Sequence, residues 1–133
     1  MSITAKWLDR KKTIVRYEFA GEWTWEELQI AAEKVNRMMK SVLHRVDVIL
    51  DFSNSRGEPP HSMLSHLRSG PLNAGENWGG GVFVGVSPFI RVILNTFMRV
   101  EPQLSSRYAI AHTVKDARVL IMQWRAAQPE TET

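Results

Sequence analysis

The chain contains no cysteine. That excludes a disulfide framework, thiol redox chemistry and cysteine-ligated zinc, and it fits a reducing compartment. Long hydrophobic runs are missing too: no uncharged apolar stretch approaches the about 18–20 residues that a membrane span requires. The opening Met1-Ser2-Ile3-Thr4-Ala5-Lys6-Trp7 lacks the apolar centre of a secretory signal, so the expected location is the cytoplasm. Charge of one sign does not dominate either. The 17 basic and 14 acidic side chains leave a net charge of +3 with histidine neutral. The only tight basic cluster, Arg10-Lys11-Lys12, falls where a turn belongs. It reads as a solvated hairpin turn or as a contact for phosphate or an anionic membrane, and no specific nucleic acid is expected. No G-x-x-x-x-G-K-[ST] exists, and Gly79-Gly80-Gly81 precede a strand instead of joining a strand to a helix as a dinucleotide fingerprint does.

What is present is ordinary globular composition, with 44% apolar and 23% charged residues over 133 positions, enough for one core. A single domain over 1–127 is expected, followed by a frayed tail over 128–133. Ile3 to Leu8 and Thr13 to Phe19 read as strands joined by the turn Asp9-Arg10-Lys11-Lys12, with Val15, Tyr17 and Phe19 alternating with Arg16 and Glu18. Ala20-Gly21-Glu22 breaks that pattern. Thr24 and Glu27 form a capping box for a helix from Trp25 to about Val42. That helix turns Leu28, Ala31, Ala32, Val35 and Met39 to one side. Glu26 and Glu27 at its start and Arg37 and Lys40 near its end match the helix dipole.

Arg45 to Phe52 is a buried central strand, and Ser53 to Pro60 a polar loop. Pro59 and Pro60 open a short helix over His61 to Arg68. Ser69 to Gly81 is a glycine-rich loop, followed by a second central strand from Val82 to Val86. Gly85 marks a close backbone approach, by a neighbouring helix or a ligand. Ser87-Pro88 caps a helix with Phe89, Val92, Ile93 and Phe97 on one face and Leu94, Met98 and Val100 widening it. Arg107 to Ala111 is the last strand. Thr113 caps a final helix with the core stripe Val114, Ala117, Leu120, Ile121 and Trp124. The order is β-β-α-β-α-β-α-β-α, an α/β fold with a mixed, largely parallel sheet, crossover helices and an antiparallel hairpin at one edge.

From Thr13 to Trp124 this order resembles the STAS, or SpoIIAA-like, family, which is related in fold to CRAL-TRIO lipid-binding domains. The resemblance is carried by Thr13-Ile14-Val15-Arg16-Tyr17-Glu18-Phe19 with Gly21, by Trp23-Thr24-Trp25-Glu26-Glu27-Leu28, by Val48-Ile49-Leu50-Asp51-Phe52-Ser53, and by Thr113-Val114-Lys115-Asp116-Ala117-Arg118. It implies a SpoIIAA-like fold and a non-enzymatic regulatory domain that docks to a protein partner, sometimes under phosphorylation. The family's regulatory serine lies in a D-S-[ST]-G stretch. The corresponding stretch here is Asp51-Phe52-Ser53-Asn54-Ser55-Arg56-Gly57, which keeps Ser55 and Gly57 and loses Asp-Ser-Ser-Gly. Ser55 is therefore the candidate phosphosite, with plain loop roles for Ser53 and Ser55 as the alternative. The expected working surface comprises Asp51, Ser53, Ser55, Arg56, Gly57, Trp78 and Ser87.

Other chemistry finds less in the sequence. Asp51 with His61 or His66 is the best acid–base pair, and Asp51 also reads as a strand-end acceptor for loop N–H groups. His61 and His66 are five apart and miss helical metal spacing, while His44 and His112 stand alone, so neither metal nor cofactor is expected. Trp23, Trp25 and Trp78 are core or staple residues, or interface residues if exposed. The broad apolar surface of Phe89 to Val100 fits deep burial or a homodimer. Carriage of a lipid or other apolar small molecule between that helix and the Trp78 loop is the alternative function, with a small hydrolase third.

Overall fold

The computed structural model describes residues 2–56, 76–100 and 107–127. The first turn is built around Asp9. Its carboxylate accepts the Thr13 and Ile14 N–H groups at 2.9 and 3.1 Å and the Thr13 hydroxyl at 2.5 Å. Lys12 completes the reversal in the left-handed region, at φ 60°. Strands β1 (Ile3–Trp7) and β2 (Ile14–Gly21) pair antiparallel on either side.

Helix α1 (Trp25–Lys40) forms as its sequence dictates. The Thr24 hydroxyl accepts the Glu27 N–H at 3.2 Å, the Glu27 carboxylate accepts the Thr24 N–H at 2.9 Å, and Leu28, Ala31, Ala32, Val35 and Met39 are buried. Its far end depends on a residue from another element. The Asn77 side chain donates to the carbonyl of Met39 in the last turn of α1 at 3.0 Å and to that of His44, just beyond the helix, at 2.9 Å, tying the two together.

Strand β3 (Val46–Ser55) runs parallel to β2 and β4 (Trp78–Val84) parallel to β3. Helix α2 (Pro88–Val100) leads to β5 (Tyr108–Ala111), parallel to β4, and α3 (Val114–Ala127) follows. The sheet order is β1-β2-β3-β4-β5, so chain neighbours are sheet neighbours. Among the described residues the order is β-β-α-β-β-α-β-α, and the expected helix over 61–68 lies outside them.

Strand alternation separates two layers. Val15, Tyr17 and Phe19, Val46, Val48 and Leu50, Phe83 and Tyr108 pack with α1 and α2 into one core. On the other face Ile49, Val82, Val84 and Ala111 meet Ala117 and Ile121 of α3. The helix therefore covers the β3–β5 side of that face, while over β1 and β2 it carries Thr4, Lys6, Arg16 and Glu18. Full burial of side chains such as Phe19 and Leu50 stabilises the fold by about 1.5–3 kcal/mol each.

Several boundaries differ from the sequence reading. Ala20 and Gly21 continue β2, and Ser53 to Ser55 continue β3 instead of opening a loop. The pairing steps from Glu18–Asp51 to Ala20–Asn54, two residues on β2 against three on β3, so a bulge absorbs the extra residue and pairing resumes. Gly79, Gly80 and Gly81 lie inside β4 because larger side chains crowd them. A Cβ on Gly80 would stand 2.7 Å from the Arg107 carbonyl oxygen and 2.9 Å from the Trp124 ring, and one on Gly79 would collide with Arg45 and Asp47. Helix α2 is rotated from the expected stripe. Ile90, Leu94 and Phe97 are buried, while Phe89 and Val92 face outward. The helix is apolar on both sides, so periodicity alone does not select the inward one.

Candidate functional site

The carboxyl ends of β3 and β4 meet the start of α2, the position where open α/β sheets place their ligands. A recess of about 120 Å³ lies there, lined by Phe52, Ser53, Ser55, Gly85, Ser87 and Ile90 among others. Each wall has a local cause. Phe52 is held by stacking on Phe19, with centroids 4.2 Å apart and planes within 8°. Ser55 accepts a hydrogen bond from the Trp23 indole N–H at 3.2 Å. Ser87 caps α2 by accepting the Ile90 N–H at 3.3 Å. Gly85 adopts φ +72°, and a Cβ there would lie 2.8 Å from the Ser53 backbone nitrogen and 2.6 Å from its hydroxyl. The close approach expected at Gly85 is thus made by Ser53 of β3.

Asp51 stands behind this recess on the opposite face of the sheet. Its Oδ2 accepts Arg16 Nη2 at 2.6 Å and its Oδ1 accepts the Ser53 N–H at 2.9 Å. Burial pushes its carboxyl up, but hydrogen bonds from the Ser53 side chain and N–H, with the Arg16 guanidinium, outweigh it and hold the carboxyl below its ordinary value. Asp51 is an ionised anchor for the bulge, with its acceptor sites taken up by Arg16 and Ser53. His61 and His66, its sequence candidates for acid–base work, lie outside the described residues, as does Gly57. Among the described residues no group of three or more His, Asp or Glu converges to hold a metal ion.

The structure brings Ser53, Ser55 and Ser87 together, and Arg56 follows Ser55 with its N–H donating to the Gly21 carbonyl at 2.9 Å. Ser53, Arg56 and Ser87 are exposed, whereas Ser55 is half-buried against Trp23. Trp78 is not part of this group. It opens β4 at the other end of the sheet and is buried against Tyr108, 5.6 Å between centroids, with the Arg107 guanidinium 5.0 Å over its ring. Trp23 is also buried, in an edge-on pair with half-buried Trp25.

Sequence reasoning passed over the most heavily bonded carboxylate. Asp47 is fully buried at the amino end of β3. Arg45 Nη2 reaches its Oδ1 at 3.0 Å and Arg125 Nε its Oδ2 at 2.8 Å, while Arg125 Nη2 also donates to the Thr13 carbonyl at 2.8 Å. The available signal was an aspartate inside the apolar run Val46 to Leu50, which demands a cationic partner when buried.

No protein-family model matches the chain, and no curated protein matches it. Among the described residues, no helix is long and apolar enough to cross a membrane.

Proposed function

We propose that this is a STAS-like regulatory domain that docks a protein partner at the carboxyl end of its sheet. The observation that carries the reading is the convergence of Ser53, Ser55 and Ser87 on a recess of about 120 Å³. That volume is on the scale of a single side chain and falls below the about 300–1,000 Å³ of small-molecule sites. The hydroxyls around it, and exposed Arg56 next along the chain from Ser55, can hydrogen-bond a docked chain, while Phe52 and Ile90 offer apolar contact. The alternative, carriage of an apolar molecule beneath Trp78, draws less support because Tyr108 and Arg107 occupy the ring's surroundings.

The test is affinity capture at mild salt with the wild type, Ser53→Arg and, as a control on the outer side of α3, Val119→Arg. A partner recovered by the wild type and the control, and reduced about tenfold or more by Ser53→Arg at unchanged thermal stability, is the expected result. A partner indifferent to Ser53→Arg, or native mass spectrometry revealing a tightly held small molecule and no protein, would overturn the reading.

A further inference from the structure

The amino end of the sheet, opposite the serine recess, gathers cations from two separate segments. The β1–β2 turn supplies Arg10, Lys11 and Lys12, and the last turn of α1 supplies Lys40, all exposed. His44 ties the segments together: its Nε2 lies 2.8 Å from the Lys12 carbonyl oxygen, as donor. Between Lys40 and His44 stands Leu43, whose side chain is 100% exposed. No other large apolar residue described is so fully presented to water.

The carboxylates at this end do not cancel the charge. Asp9 turns inward onto the Thr13 and Ile14 N–H groups, and Asp47 is buried between Arg45 and Arg125. Glu76, at the approach to β4, is the exposed acid here among the described residues, against Arg10, Lys11, Lys12 and Lys40. Among the described residues the cluster is therefore an outward cationic patch from two linked segments, with one protruding aliphatic side chain in the second. Surfaces that bind single-stranded nucleic acid carry exposed rings on which bases stack. Here the nearby aromatic residue, Trp7, packs against the core.

We infer that this end is a docking surface for an anionic lipid bilayer, with Leu43 entering the headgroup–acyl boundary while Arg10, Lys11, Lys12 and Lys40 face acidic headgroups. The chemistry is the two-signal attachment of peripheral domains, in which neither a modest apolar insertion nor a few cations suffices alone. It does not depend on the serine recess, which points the other way.

The experiment is co-sedimentation of the full chain with vesicles of phosphatidylcholine alone and of phosphatidylcholine containing about 30% phosphatidylserine, in the range where surface potential drives adsorption. Binding is expected to the anionic vesicles only, and to be released at about 0.5 M salt, where screening has shortened the field. Each of Lys11→Gln and Lys40→Gln should weaken binding about fivefold, and Leu43→Ser about tenfold. Because the chain lacks cysteine, Leu43→Cys can carry a single polarity-sensitive fluorophore, which should shift to the blue on the anionic vesicles. All three positions are exposed, so folding is expected to be unchanged and is checked by circular dichroism. Equal binding to both vesicles, no binding to either, or binding unaltered by Leu43→Ser without a fluorophore shift would overturn the inference. Preferential capture of duplex RNA over anionic vesicles would do the same and reassign the patch to nucleic acid.

Discussion

Asp47 concentrates more bonding than any other carboxylate described, and its surroundings make its removal severe. Asp47→Asn leaves Arg45 and Arg125 facing one another across a neutral amide in a space that also requires the absence of a side chain at Gly79. Breaking such an arrangement should destabilise the fold by about 3 kcal/mol, read as a lowered urea midpoint, and a loss under about 1 kcal/mol would show the arginines are solvated instead. Asp51 acts through titration. Its folded carboxyl is held below the ordinary 3.8, so the stability it contributes is fully present above that pH and is lost as pH falls through the lower folded value. Asp9, lowered by its Thr13 and Ile14 hydrogen bonds against the opposing effect of burial, has the same sign. Urea midpoints should stay level from neutrality to about pH 5 and fall below about pH 4, with a shallower fall in Asp51→Asn.

At the scale of elements, α1 was readable because its information is local. Thr24 and Glu27 sit three apart, and the buried stripe repeats every turn. The finish of that helix was not readable, since Asn77 lies 38 residues beyond Met39 and nothing nearby announces the contact. Asn77→Ala should destabilise by about 1–2 kcal/mol and speed amide hydrogen exchange selectively in the last turn of α1, whereas uniform acceleration would mean the side chain is not a local cap. The glycines of β4 misled for a related reason. Three in succession read as a loop, yet they are strand positions narrowed by Trp124, Tyr108 and the Arg45–Asp47 pair, all distant in sequence or known only from packing. The serine site was half legible: following the central strand puts Ser53 and Ser55 at its carboxyl end, but the bulge that keeps them in the sheet, where a loop was expected, leaves no local signature.

Across the whole molecule, the α/β class and the parallel run of strands followed from alternating element types, whereas the division of helices between the two faces of the sheet did not. That division puts helices on the two faces, so that among the described residues the sheet's two ends carry different side chains. One end presents serine hydroxyls and a side-chain-sized recess, and the other presents cations and Leu43. A domain resting on a bilayer by the second end would hold the first outward, toward proteins in the surrounding solution.

Arg125 gives this architecture an order of assembly. Strands are added to the sheet in the sequence in which they are made, so each can join an edge already formed during synthesis. The site around Asp47 stays incomplete throughout that growth, because one of its two arginines sits almost at the end of the last helix and also grips Thr13, 112 residues earlier. Closing it ties the final turn of α3 to the first hairpin, so in a nascent chain Asp47 has Arg45 alone as its cationic partner until the last helix arrives.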